Sequence, residues 1–166
     1  MAPKFCARCG TKLVRRKVEK RMREVCPKCG YVAFRNAKPC VGLLIERDGK
    51  VLFVRRERPP FKGQWDIPGG FLEADESPET GARREAREET GLRVALDELI
   101  GIYHDKSGDD YTFNAYYKAH PIGGREKPGD DADALKWFDI DRLPKRIAFP
   151  GHTKAVIRDW RRATGD

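Results

Sequence analysis

One stretch, from Gly70 to Leu92, constrains this chain more than any other: Gly-Phe-Leu-Glu-Ala-Asp-Glu-Ser-Pro-Glu-Thr-Gly-Ala-Arg-Arg-Glu-Ala-Arg-Glu-Glu-Thr-Gly-Leu. It reads as helix over about residues 77–90, with Gly91 stopping it. On that helix Glu85, Glu88 and Glu89 stand at i, i+3 and i+4. At about 100° per residue their carboxylates share one arc of roughly 100°. Like charges so placed repel by a few tenths of a kcal/mol per pair on an open surface, and by more in a cleft. A cation set among them turns repulsion into attraction. Carboxylate oxygens with open positions suit Mg²⁺ or Mn²⁺, hard ions that keep water and bind phosphates. A pyrophosphate is the natural substrate, because a divalent ion shields its oxygens and acidifies bound water.

The neighbours of that arc fit the same reading. Ala82 and Ala86 are small enough to let the helix approach a sheet closely. Arg84 can pair with Glu88 one turn on, or reach back to Glu76 in the preceding loop. Arg83 and Arg87 point away, towards solvent. An ordinary surface helix also carries Arg and Glu, so three glutamates alone decide nothing. The wider pattern must carry the weight.

The first 30 residues hold a second pattern, Cys6-x₂-Cys9-x₁₆-Cys26-x₂-Cys29. Two Cys-x-x-Cys turns with converging thiolates complete a tetrahedral zinc site, and Gly10 and Gly30 follow them where the chain must curl round the ion. A site of four cysteines is closed, hence structural, and this segment has too few large apolar residues to fold without such a staple. Between the pairs, Leu13, Val14, Val18 and Val25 suit a short hairpin, and residues 31–39 read as a connector. Cys40, the fifth cysteine, opens an apolar strand and reads as a core residue. Paired thiols and a start without an apolar leader point to a reducing, cytoplasmic location. No apolar run approaches the ~18 residues that span a bilayer.

Charge divides the chain at the same place. The net charge is +8, yet residues 1–39 hold twelve Lys and Arg against two acids, so they carry +10 and the remainder −2. Two modules follow, 1–36 and 37–166, with different partners. A solubility coat on a small segment gives the same excess. Beyond residue 39, strands read at 40–46, 51–54, 96–103, 111–119 and 135–138. Asp48-Gly49 supplies turn chemistry between the first two. A closing helix reads at 152–162, with Val156, Ile157 and Trp160 facing inward. Strands interleaved with two helices give an α/β domain with a mixed sheet.

The run of Gly70, five residues, Glu76, seven residues, Arg84-Glu85, Ala86, one residue, Glu88-Glu89, one residue, Gly91 and Leu92 resembles the Nudix box of the Nudix hydrolases without a mismatch. Seven fixed positions at ~7% background each coincide in about one in a million chains of this size. The approach Gly63-Gln-Trp65-Asp-Ile-Pro68-Gly69-Gly70 is similar too. The resemblance implies an α/β/α sandwich with a mixed sheet, the box forming loop, helix and loop, preceded here by a small zinc ribbon. It implies that Glu85, Glu88 and Glu89 ligate Mg²⁺ or Mn²⁺ with the Gly70 carbonyl, while Arg84 and Glu76 orient them. One box glutamate, or an acid of a later loop among Asp130, Asp131 and Asp133, acts as general base.

A ribbon ahead of such a domain resembles two groups. NADH pyrophosphatases, which also remove nicotinamide caps from RNA, carry a Ser-Gln-Pro-Trp-Pro-Phe-Pro run that is missing after Gly91. Short proteins similar to ADP-ribose and FAD pyrophosphatases fit better, and the tail at 147–154 resembles theirs. The leading expectation is hydrolysis of an ADP-ribose-like nucleotide to AMP and a phosphorylated remainder. The alternatives are NAD-capped RNA gripped by the basic ribbon, and a sensor that binds nucleotides without cleaving them. Ribbons also brace a neighbouring domain or a homodimer. Tyr103, Tyr111, Phe113, Tyr116, Tyr117 and Trp137 form the pool for stacking on adenine, though alternating aromatics are more often core. Arg55 and Arg56 close a strand where phosphate contact or solvation would each suit, and Arg55 and Asp131 are the candidate substrate contacts.

Overall fold

The computed structural model describes residues 2–107 and 110–164. Two compact units divide it, Met1–Ala37 and Lys38–Asp166. No helix among the described residues is long and apolar enough to cross a membrane.

The first unit is built on two like turns. The Gly10 N–H donates to the Cys6 carbonyl at 2.9 Å, and the Gly30 N–H to the Cys26 carbonyl at 3.0 Å. Both glycines take left-handed φ, 69° and 73°, which costs a residue without Cβ nothing. The charged stretch between them forms a hairpin of β1 (Val14–Val18) and β2 (Arg21–Val25). Residues 31–39 are more than a connector. Val32–Ala33 pairs with β2 as β3, a strand too short to leave any periodicity in sequence. The core is small: Cys6, Leu13, Cys26 and Ala33, with Tyr31 against them.

In the second unit, β4 (Lys38–Arg47) and β5 (Lys50–Arg56) meet at Asp48-Gly49, both with positive φ (52° and 70°), as a two-residue hairpin turn requires. The two strands pair only at Glu46↔Val51 and Arg47↔Lys50. Beyond that they part. Into the gap go β6 (Trp65–Asp66), which takes β5, and β7 (Gly69–Phe71), which takes β4. The helix α1 (Pro78–Thr90) follows, then β8 (Leu92–Ser107), β9 (Asp110–Gly124), β10 (Ala132–Asp139) and α2 (Pro150–Thr164). The sheet order is β10-β5-β4-β9-β8, with β4 and β9 parallel and the other pairings antiparallel. Both β8 and β9 outrun the expected 96–103 and 111–119. The start of β8 is core, since Leu92 and Val94 are buried against the sheet, but it follows Gly91 so directly that no loop separates it from the helix.

Alternation assigns the two faces of this sheet. Leu43, Ile45, Leu52, Ala115, Tyr117 and Ala119 pack with Ala82 and Ala86 of α1. Leu44, Val51, Phe53 and Tyr116, their neighbours in sequence, pack with Val156 and Trp160 of α2. The sheet therefore lies between the helices, an α/β/α sandwich. At ~25 cal/mol per Å², each large apolar side chain buried this way contributes about 1.5–3 kcal/mol. Trp160 and Phe53 are fully buried, and replacing either by Ala would cost about 3–5 kcal/mol.

Candidate active site

Local rules set the ends of α1. The Ser77 hydroxyl accepts the Thr80 N–H at 3.2 Å, Pro78 occupies the first turn, and Gly91 closes the helix at φ 73° with its N–H on the Arg87 carbonyl. Its buried face is Gly81, Ala82, Glu85, Ala86 and Thr90. Small residues there bring the helix down on the sheet, and with it a carboxylate. Glu85 is buried, Glu89 half-buried and Glu88 exposed.

The strand β7 meets this acidic face. A Cβ on Gly70 would fall 2.4 Å from a Glu85 carboxylate oxygen, so any side chain there would displace that carboxylate. The Gly69 N–H donates to Glu89 Oε2 at 2.8 Å. Arg84 makes both contacts that its position allows. Its Nε and Nη2 reach Glu76 at 3.1 and 2.5 Å, its Nη1 reaches Glu85 at 2.8 Å and Glu88 at 2.9 Å, and its Nη2 also donates to the Phe71 carbonyl at 3.0 Å. Glu76 in turn accepts the Glu73 N–H at 2.9 Å. One planar fork thus ties the loop, β7 and two turns of helix together. Its hydrogen bonds hold Glu76 below the usual carboxylate range.

The other acids go the opposite way. Burial pushes Glu89 up to about 8 against the Gly69 N–H, and the charges of Glu85 and Asp66 add to it. Burial also raises Glu85, although Arg84 opposes it. Asp66 is pushed up to about 6 by burial, opposed by Arg56, whose Nη1 lies 3.1 Å away. This cluster is short of positive charge. A hard divalent cation would relieve it, so the donor set fits such an ion.

Two clefts meet here. One of about 490 Å³ is lined by Glu85, Glu88, Glu89 and the 127–132 loop. The other, of about 540 Å³, runs past Gly70, Arg84, Arg56, Asp66, Tyr116 and His152. Glu85, Glu89 and Asp131 line both. Asp131 arrives there because the Lys127 and Gly129 N–H groups cap the Thr90 and Glu89 carbonyls, and the Asp131 carbonyl accepts the Glu57 N–H. Its carboxylate pairs with Arg58 at 2.8 Å. Asp130 lines only the smaller cleft. Asp133 pairs with Arg55 at 2.7 Å, and both stand outside the two linings. It is Arg56 that faces the larger cleft.

Sequence reasoning passed over several residues of that cleft. Asp66 follows Trp65 and precedes Ile67, and a lone acid in an apolar run was its only signal. His152 shares hydrogen bonds of 2.8 Å with the Tyr116 hydroxyl and with Asp105, a chain that joins β8, β9 and the first turn of α2. Of the aromatic pool only Tyr116 lines the larger cleft, joined there by Phe71 and Phe149. Tyr103 donates to Asp159, Tyr117 to Glu79 and Trp137 to Glu126, while Tyr111 stacks on His104. Phe113 is exposed.

In the first unit the Sγ atoms of Cys6, Cys9, Cys26 and Cys29 all lie within 4.8 Å of one another. Their separations are 3.5 Å for Cys9–Cys26, 3.6 Å for Cys6–Cys29 and 3.7 Å for Cys9–Cys29. A disulfide needs about 2.05 Å. A tetrahedron with ~2.3 Å metal–sulfur bonds has edges of about 3.8 Å, so the set fits zinc. The N–H groups of Arg8 and Cys29 point at the sulfurs of Cys6 and Cys26, each at 3.4 Å. No set of three carboxylates among the described residues converges so tightly. The glutamates instead share Arg84 and β7.

Comparison with known proteins bears on both units. The NUDIX domain family matches residues 37–159, and a zinc-ribbon family described as Nudix N-terminal matches residues 4–34. An ADP-ribose pyrophosphatase of Methanocaldococcus jannaschii is 40% identical over 121 residues, covering 72% of this chain and 70% of that protein. An NAD-capped RNA hydrolase, NudC, of Pseudomonas aeruginosa is 34% identical over 143 residues, 85% of this chain but only 49% of that longer protein. Among solved structures, a NUDIX hydrolase from Nitrosomonas europaea superposes with a TM-score of 0.86 at 30% identity, covering 99% of this chain and 94% of that one.

Proposed function

This chain belongs to the Nudix family, and on that footing we propose that it is a Mg²⁺- or Mn²⁺-dependent pyrophosphohydrolase acting on ADP-ribose-like nucleoside diphosphates. The observation that carries the reading is the cluster of Glu85, Glu88 and Glu89. It is short of positive charge, and Glu85 and Glu89 stand on the shared wall of two clefts, with Glu88 in the smaller one. Glu85, Glu88 and Glu89, with the Gly70 carbonyl, would hold the ion. Once bound, a divalent ion shields the phosphate oxygens and lowers the pKa of a coordinated water.

The remaining work falls to the chain itself. Arg84 fixes the rotamers of Glu85 and Glu88, and Glu76 fixes Arg84. Arg56 faces the cleft with part of its charge already spent on Asp66, and its remaining N–H groups suit a phosphate oxygen. Water supplies the new P–O bond, the bridging P–O bond breaks, and the proton passes to a carboxylate of this cluster. Two phosphomonoesters leave, AMP and ribose 5-phosphate when ADP-ribose is the substrate.

The relative with ADP-ribose in its name supports that substrate, as does the missing Ser-Gln-Pro-Trp-Pro-Phe-Pro run. The longer alignment with NudC favours a second reading, the cap of an NAD-capped RNA. A panel of ADP-ribose, NADH, FAD, diadenosine phosphates and capped RNA, assayed with Mg²⁺, separates them. We expect AMP from ADP-ribose at the highest kcat/KM. Turnover of capped RNA alone would replace the first reading with the second. The four-cysteine site takes Zn²⁺ in a structural role, within a ribbon of residues 1–36 ahead of a catalytic domain at 37–166. Unbridged cysteines suit a cytoplasmic location.

A further inference from the structure

The basic excess of this chain is an organised surface. Met1–Ala37 holds eleven Lys and Arg against two acids, a net charge of +9. Arg15, Arg16, Lys17, Lys20 and Arg21 are exposed and make no ion pair among the described residues. In the second unit Arg47, Arg55, Arg56, Arg58 and Arg84 all have carboxylate partners.

The strand register shows where the unpaired charge gathers. Arg16 stands directly across from Arg23, and Val18 across from Arg21. Like charges directly opposite destabilise a sheet. Side chains alternate between faces, so Arg16, Arg21 and Arg23 share one face. The Arg23 guanidinium lies 4.5 Å from the centroid of the Phe34 ring, and Phe34 is 57% exposed. The buried Nε of Arg23 has no hydrogen-bond partner. A solubility coat would mix both signs and keep aromatic rings out of water. This face does neither.

Cations in a row beside an exposed ring match a ligand with regular phosphates and unstacked bases. An anionic bilayer matches the charge but supplies no flat ring. We propose that the three-stranded sheet of the first unit binds single-stranded nucleic acid, with phosphates on Arg16, Arg21 and Arg23 and a base stacked on Phe34. The proposal stands apart from which nucleotide the second unit cleaves.

Fluorescence anisotropy of a labelled single-stranded oligonucleotide with the full chain, across a salt series, tests it. The expected result is an affinity that falls linearly with salt on logarithmic axes. Replacing Arg16 and Arg21 together by Gln should weaken binding about tenfold and flatten the slope by ~1.4, at ~0.7 per lost phosphate contact. Phe34→Leu should weaken it about tenfold with the slope unchanged, and Phe34→Tyr should restore it. Unchanged metal content and melting of the variants show that the ribbon is intact. Parent-like binding by both the double variant and Phe34→Leu overturns the proposal. So does capture by phosphatidylserine vesicles without binding of the oligonucleotide.

Discussion

The two units of this protein hold together by opposite means. In Lys38–Asp166 the sheet buries large apolar side chains on both faces, and most arginines with a role in the fold have a carboxylate partner. In Met1–Ala37 four buried residues, two of them cysteines, make the core with Tyr31 against them, and the exposed cations of the hairpin have no carboxylate partner among the described residues. One unit is cohesive through area, the other through a few sulfur atoms. The first kind of cohesion is spread out and tolerates loss. The second is concentrated, and it leaves the surface free to carry unbalanced charge.

The largest effect should come from attacking that concentration. Structural zinc contributes roughly 10–16 kcal/mol of apparent binding free energy to ribbon-sized peptides at neutral pH. Cys26→Ser should therefore unfold the ribbon and abolish its metal content, while the second unit keeps its own melting transition. Calorimetry paired with metal analysis checks this. A single cooperative loss of both units would erase the contrast drawn above.

Next in size is the glutamate cluster of α1. Glu88→Gln and Glu89→Gln should each lower kcat/KM by more than ~100-fold, the upper end of what loss of a supporting ligand partner costs, with melting nearly unchanged. Glu88 is exposed, and a Gln at 89 keeps an oxygen that accepts the Gly69 N–H, so neither change removes a contact of the fold. A large drop in melting temperature with activity preserved would turn the cluster into a structural feature.

The third effect follows from the raised acids. Glu89 at about 8 lies above its value in an unfolded chain, so the cation-free fold holds a proton there that the unfolded chain has lost. Such a group lends stability below its unfolded pKa, and that contribution drains away as pH climbs towards 8. Divalent binding expels the proton, so apparent Mg²⁺ affinity should rise by up to about tenfold per pH unit below 8 and level off above it. Calorimetric titrations at several pH values, beside melting curves in a chelator, read both trends. An affinity flat from pH 6 to about 8 would show that burial does not govern this carboxylate.

How legible all this was in sequence depended on distance along the chain. Glu85, Glu88, Glu89, Arg84 and Glu76 lie within fourteen consecutive positions; a helix repeat places the first four, and Glu76 in the loop before the cap is placed by the reach of Arg84. The four cysteines were legible because their spacing is a property of the turns alone. The faces of β4 and β5 could be read from apolar character, but their parting could not, since β6 and β7 are too short to signal themselves. Arg84 had two options in sequence, and the structure uses both because β7 brings the loop to the helix. His152, Tyr116 and Asp105 are 47 residues apart at the extremes and meet only through the β8–β9 ladder and α2. No local rule predicts such a meeting. Phe71 stayed hidden inside the box itself, taken as one more spacer residue.

The smallest expected effect gives the cleanest measure of how differently the two units spend their atoms. The Ser77 hydroxyl satisfies one of the orphan N–H groups at the start of α1, at 3.2 Å from the Thr80 nitrogen. Ser77→Ala should cost about 1 kcal/mol, the usual worth of a helix N-cap, and lower the melting temperature of the second unit by a few degrees. The helix itself should survive, because Ala82 and Ala86 are pressed fully buried against the sheet and Arg84 still clamps its middle turn. Turnover restored to the parent rate when Mg²⁺ is added back after chelation would show the clefts unharmed. Here one oxygen is lost and a fold bends slightly, whereas in the ribbon one sulfur is exchanged for oxygen and nothing remains to fold around. If Ser77→Ala instead collapsed the second unit, its stability would also be concentrated in single contacts, and burial on both faces of the sheet would no longer explain why it stands.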